Sequence, residues 1–130
     1  MAAAGSIIES HSKTRTIRRL SLAWTSSAGG AVQELPSSAI SGEILRVVFA
    51  PGAGGVQPTD LYDVTLSDED GFDVLVALGA NRSNATKQQL VPLTGDGTTT
   101  NQRVVVDGTL TLTVSAAGNA KQGTVSVYYR

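Results

Sequence analysis

The stretch TLTLTVSAAGNAKQGTVSVYY, residues 109–129, decides the fold. Its apolar side chains recur at every second position in two runs, which are separated by a loop of small residues. The alternating residues are Leu110, Leu112, Val114, Val125, Val127 and Tyr129. A period of two with Thr and Val at most steps is typical of strands, so the stretch predicts a hairpin. Because one face of that hairpin must be covered, we expect a second layer, as in a sandwich or barrel.

The length and composition of the chain limit what it can be. Its 130 residues are enough for one domain with a two-layer core, and they include no cysteine. Disulfides, thiolate catalysis and cysteine-ligated zinc are therefore excluded. The longest apolar run, Val74–Leu78, is far short of the roughly 20 residues of a membrane helix. Residues 1–10 lack the pattern of a secretory signal, so we expect a soluble protein that is made and used in the cytoplasm without a membrane partner.

The first strand is predicted at Thr14–Thr25, where alternate residues are apolar. Leu20, Leu22 and Trp24 point inward in this pattern, and Trp24 is the largest expected core side chain. Ile17 is out of phase with them, which predicts a bulge or a strand crossing near Arg18. Residues 1–12 show no sustained period and are expected to form a flexible N-terminal arm. Residues 13–130 then make a β-sandwich domain.

Further strands follow between turns. The run Gly42–Ala50 is apolar on both faces, with Leu45, Val47 and Phe49 on one of them, so it lies in the middle of a sheet or against another subunit. Tyr62, Val64 and Leu66 are expected to face inward before an acidic turn, and Phe72–Val76 is predicted to return as the partner strand, because Asp70-Gly71 marks a hairpin. Less regular segments predict an edge strand at Ala31–Leu35, one or two helical turns at Asn84–Leu90 and a strand at Gln89–Leu93. With roughly seven to nine short strands, the chain is predicted to be an all-β single domain, a β-sandwich or jelly roll.

Catalytic, metal and cofactor motifs fail on spacing. Placing Gly71 at the sharp-turn position of a helix–loop–helix calcium site puts Leu66 and Ala77 at ligand positions. The glycines of Gly52–Gly55 do not match a phosphate-binding loop. His11, the only histidine, lies in the expected arm. We therefore expect no enzyme activity, no metal and no cofactor.

The charges are segregated along a chain of net charge −1. Four cations lie before residue 20, namely Lys13, Arg15, Arg18 and Arg19, whereas six acids lie between residues 60 and 73. This asymmetry fits docking of one copy on another, docking of a basic arm on an acidic partner, or two solvated faces. Nucleic-acid binding is disfavoured, because the one aromatic residue near these cations, Trp24, is expected to be buried rather than open for stacking.

Four stretches cover most of the chain beyond the arm, namely GEILRVVFAPGAGGVQ, PTDLYDVTLSDEDGFDVL, GANRSN and GTLTLTVSAAGNAKQGTVSVYY. With them the chain resembles the head decoration, or cement, proteins of tailed bacteriophages. The resemblance implies a virion protein that coats the outside of a capsid and binds the major capsid protein. Similar small β proteins also serve at the neck and tail of such virions, so a neck or tail component is one alternative function. A receptor- or carbohydrate-binding β module is the alternative from another class.

The resemblance and the charge pattern together imply a contact surface for the capsid or for a sister copy. Its expected residues are Lys13, Arg15, Arg18, Arg19, Arg46 and Tyr128. A homodimer or homotrimer that forms through one sheet is also expected, because Ile44–Phe49 is apolar on both faces and because Tyr128 and Tyr129 point to opposite faces of the last strand.

Overall fold

The computed structural model describes residues 5–32, 36–95 and 101–130. Within these ranges the chain is all-β, as predicted, and every strand pair is antiparallel. The strands are β1 Ser6–Thr14, β2 Ile17–Thr25, β3 Ile40–Pro51, β4 Asp63–Ser67, β5 Gln88–Leu90, β6 Leu93–Gly95, β7 Asn101–Arg103, β8 Val105–Gly108, β9 Thr111–Ser115 and β10 Gln122–Tyr129. One 3-10 helical turn, Gly54–Val56, lies between β3 and β4. No helix among the described residues is long and apolar enough to cross a membrane.

The strands form one large sheet and two small ladders. The large sheet has the order β1-β2-β10-β3-β5, and β8 also pairs with β3. The ladders are β4-β9 and β6-β7. β3 therefore lies inside a sheet, as its two apolar faces predicted. The buried side chains of the large sheet and of β4-β9 belong to a single core.

The hairpin predicted at residues 109–129 is wrong, although both of its strands exist. β9 pairs with β4, whereas β10 lies between β2 and β3 in the large sheet. The connection crosses from one sheet to the other, and Ser26 fastens it by donating to the carbonyl of Gly118 at 2.6 Å and accepting from the N–H of Lys121 at 2.8 Å. Alternation determines which side chains face inward, but it does not select the partner strand.

The prediction of a flexible arm is also wrong for residues 6–12, because they belong to β1. This strand pairs with β2 along its whole length, from Ser6 opposite Thr25 to Thr14 opposite Ile17. Most of its side chains are exposed on both faces, so the sequence shows no hydrophobic alternation. The pairing is continuous past Arg18, so the predicted bulge is absent there, and Ile17 simply shares the solvent face of the sheet. Residues 1–4 lie outside the described part of the chain.

A register shift in β3 reverses the predicted facing of two residues. Tyr128 of β10 pairs with Arg46, but Tyr129 pairs with Ile44, so Leu45 is the extra residue of a bulge. Ile44 is consequently fully buried like Val47 and Phe49, whereas Leu45, which was predicted to share their face, is only half-buried. Val47 and Phe49, beyond the bulge, are buried as expected.

The segment after β4 does not return as a strand. Only Asp73 bridges back to Ser67, and the following residues are turns. Residues 84–86 form a bend rather than a helical turn, and the strand predicted at Gln89–Leu93 is displaced to Gln88–Leu90. Of the edge strand predicted at Ala31–Leu35, residues 31 and 32 are not in a strand and residues 33–35 lie outside the described ranges.

Trp24 is the largest buried side chain and joins the two parts of the core. Its ring centroid lies 5.5 Å from that of Tyr62, which directly precedes β4. On the neighbouring strand the residue opposite Trp24 is Gly123. A Cβ atom at Gly123 would lie 2.4 Å from the indole ring, so only glycine leaves room for it. Burial also raises the pKa of Tyr62 to about 12, with the charge of Arg82 acting weakly in the opposite direction.

Replacing Gly123 with alanine should lower the free energy of unfolding by about 1–3 kcal/mol, because the added methyl group overpacks the core against Trp24. Denaturant unfolding followed by tryptophan fluorescence measures this. Gly55→Ala is the matched control, since a Cβ atom there meets nothing within 4 Å. Equal stability of the two variants would contradict the packing role of Gly123.

Candidate functional site

The solvent face of the large sheet carries a row of three cross-strand neighbours. Tyr128 of β10 lies opposite Arg19 of β2 on one side and opposite Arg46 of β3 on the other. Directly opposed residues of antiparallel strands point to the same face. Because Leu20, Val127 and Val47, their immediate chain neighbours, point into the core, the three residues must point outward. We call them the arginine–tyrosine row.

The row is held by contacts among its own side chains. The guanidinium carbon of Arg46 lies 4.3 Å from the centroid of the Tyr128 ring, and its Nη1 atom donates to Oε1 of Gln89 at 2.9 Å. A hydrogen bond from Arg19 lowers the pKa of Tyr128, against a smaller opposing effect of burial, and the charges of Arg19 and Arg46 add to the lowering. The Arg46 guanidinium is thus positioned on the Tyr128 ring, which reduces the entropy that this side chain loses on binding a partner.

An open depression of about 440 Å³ lies against this row. Its lining is Arg19, Arg46, Val48, Ala50, Lys87, Gln88, Gln89, Ser126 and Tyr128. It therefore contains three cations, and none of these described lining residues is a carboxylate. A surface of this composition attracts anionic groups and presents planar guanidinium donors suited to carboxylates.

More cations lie next to the row, at the end of the β1-β2 hairpin. Lys13, Arg15, Arg18 and Arg130 line one shallow surface, which we call the basic end. Arg18 also lines a depression together with Arg19 and Tyr128, so the basic end adjoins the row. Arg130 forms an ion pair with Glu43 at 3.5 Å.

The six residues predicted to make contact therefore form two adjoining sets. Arg19, Arg46 and Tyr128 form the row, while Lys13, Arg15 and Arg18 belong to the basic end. Sequence reasoning missed Lys87 and Gln89, which reach the row from a distant part of the chain, and Arg130, which directly follows β10. No local signal identifies Lys87 and Gln89, since only the pairing of β3 with β5 brings them there.

The acidic stretch has a structural role, because its carboxylates accept backbone N–H groups. Asp68 accepts from Asp70 and Phe72, and Glu69 accepts from Thr109. Asp73 accepts three such bonds, from Leu66, Leu75 and Ala77, at 3.0–3.1 Å. These carboxylates shape the loop after β4.

This loop also exposes apolar side chains, two of which lie in the strand predicted at Phe72–Val76. Phe72 is 71% exposed, and Val76 and Leu78 are more than 40% exposed. Val76 and Ala77 have positive φ angles of 53° and 63°, a strained conformation that is exceptional for a β-branched residue. Strain and exposed apolar groups are both common where loops bind partners, so the loop is a second candidate contact.

Replacing Asp73 with alanine should lower the free energy of unfolding by about 1–3 kcal/mol, because three backbone donors lose their acceptor. Hydrogen exchange should show faster exchange at Leu75 and Ala77. Asp70→Ala is the matched control, since Asp70 lies in the same turn but makes none of these three bonds. Unchanged exchange in the Asp73 variant would contradict the role of this carboxylate.

Replacing Arg19 with glutamine should raise the pKa of Tyr128 toward its ordinary value, because the hydrogen bond and the nearby charge are both lost. Ultraviolet titration measures this after subtraction of the curve for Tyr128→Phe. Arg103→Gln, which removes a cation from β7, should leave the titration unchanged. The same curve in the Arg19 variant as in the unsubstituted protein would show that the row is not formed in solution.

Comparisons of the chain with protein-family models, curated proteins and solved structures found no match.

Proposed function

We propose that this protein is a structural virion protein that binds the major capsid protein and stabilises the outer surface of a tailed-bacteriophage capsid. In this proposal the all-β fold is a β-sandwich or jelly roll, as in the decoration proteins that the sequence resembles. Assembly takes place in the host cytoplasm and leaves the protein on the virion surface. The arginine–tyrosine row and the adjoining basic end form the contact with the capsid.

The observation that carries the proposal is the arginine–tyrosine row on an open sheet face. Tyr and Arg are enriched among residues that dominate binding energy at protein interfaces. The row lies on a wide, shallow surface, which suits a broad protein partner better than an enclosed small molecule. Because Arg46 covers one face of the Tyr128 ring, that face is not open to a stacked sugar. This favours a protein partner over the carbohydrate alternative.

The mechanism in this proposal is associative. Each copy binds neighbouring capsid subunits and stabilises the assembled state by mass action, because it binds assembled subunits more tightly than separated ones. A copy that contacts two subunits gains further from high effective concentration. Many weak contacts repeated over the shell then oppose the separation of subunits under the pressure of packaged DNA.

The row can be tested by measuring binding to purified capsids that lack this protein. Substituting Arg19 and Arg46 with glutamine should weaken binding at least about tenfold, which corresponds to roughly 1.4 kcal/mol, and should reduce the dependence on salt concentration. Substituting Arg103 and Lys121 with glutamine is the matched control, since the change in net charge is the same. Cosedimentation with capsids at several salt concentrations measures both effects.

Two results would contradict the proposal. Equal weakening in both double variants would mean that net charge rather than the row determines binding. Absence of binding by the unsubstituted protein, with any capsid of its own virus, would remove the decoration function itself.

A further inference from the structure

The strand β1 forms an edge of the large sheet. It pairs with β2 on one side, and no described residue pairs with its other side. At nine residues it is long for an edge strand, and most of its side chains are exposed. A regular, exposed edge of this length presents a row of unpaired backbone donors and acceptors that another strand can join.

The hairpin turn between β1 and β2 determines which backbone N–H and C=O groups of β1 point to the free edge. The hairpin loop has two residues, Arg15 and Thr16, so the pair at its neck, Thr14 opposite Ile17, is a hydrogen-bonded pair. Hydrogen-bonded and non-bonded pairs then alternate along β1. The residues whose backbone N–H and C=O groups point to the free edge are Ile7, Glu9, His11 and Lys13.

We propose that β1 pairs antiparallel with β1 of a second copy, centred on Ser10, and so joins two large sheets into one. This register overlaps all nine residues, since Ser6 lies opposite Thr14 of the second copy. It places Glu9 opposite His11 of the second copy, and the two-fold symmetry repeats this complementary pair. Each free-edge residue then meets another free-edge residue, so all the outward backbone groups are paired.

The neighbouring registers are worse on charge or on overlap. Centring the pair on Glu9 opposes two carboxylates directly, and centring it on His11 shortens the overlap and opposes two imidazoles.

Glu9 is already held in place, because it accepts from the backbone N–H of Ser38 at 3.0 Å and contacts His11 at 2.5 Å. Burial opposes the ionisation of Glu9, but these hydrogen bonds outweigh it and lower its pKa. Glu9 is thus positioned as an anion on the strand that the second copy joins.

The dimer does not depend on capsid binding, but it would affect how the protein binds a capsid. Antiparallel strands are related by an axis perpendicular to the sheet, so both copies turn their solvent faces to the same side. Two arginine–tyrosine rows then lie on one continuous surface. A dimer built in this way binds a repeating surface through two equivalent contacts.

A single cysteine tests the register, because the chain contains none of its own. In Ser10→Cys the two thiols lie at a non-hydrogen-bonded pair, where Cα atoms are about 4.5 Å apart, within the range of a disulfide. Mild oxidation should convert most of this variant to a covalent dimer. In Ser12→Cys, on the same face, each thiol lies opposite Ile8 of the second copy, and the two thiols are roughly 13 Å apart, so little cross-linking is expected.

Sedimentation equilibrium of the unsubstituted protein provides an independent measurement, and it should give the mass of a dimer at micromolar concentration. His11→Glu places carboxylates opposite each other and should raise the dissociation constant at least about tenfold. The dimer is overturned by a monomeric mass, and the register by equal cross-linking of the two cysteine variants. Because neither measurement uses capsids, its failure leaves the decoration function standing, and failure of capsid binding leaves the dimer standing.

Discussion

The packing of Trp24 between Gly123 and Tyr62 is the interaction on which the rest of the structure depends. The indole belongs to the large sheet, and its contact with Tyr62, at 5.5 Å between centroids, brings the start of β4 onto the inner face of that sheet. Gly123 makes the contact possible, because any side chain there would enter the volume of the ring. Once the inner face is covered in this way, the outward residues of β2, β10 and β3 have only solvent or a partner to contact.

The two charge types have different roles in this arrangement. In the acidic stretch, residues 60–73, the carboxylates of Asp68, Glu69 and Asp73 accept hydrogen bonds from backbone N–H groups within the fold. Most of the cations gather instead on the solvent face and at the end of the β1-β2 hairpin. A chain of net charge −1 therefore presents a strongly positive region, and this local field, rather than the total charge, determines which partners it attracts.

Much of the core could be predicted from the sequence, because burial in a strand depends on alternation alone. Leu20, Trp24 and Leu112 are buried as predicted. Pairing could not be predicted in the same way: β9 and β10 are adjacent in sequence but lie in different sheets, and a nearly continuous apolar run gives no sign of the bulge at Leu45. At the candidate site, Arg19 and Tyr128 could be named from sequence, but their contact depends on strand register, and Lys87 reaches them only through the pairing of β3 with β5.

The copy number of the polypeptide in purified virions decides whether the proposed decoration of a capsid through the open sheet face takes place. Quantitative mass spectrometry, normalised to the major capsid protein, measures this number. A decoration protein should be present at a ratio that matches a repeated site over the whole capsid lattice. A ratio that fits only one ring at a single vertex would place the protein at the neck or tail, and absence from virions would rule out the proposed function.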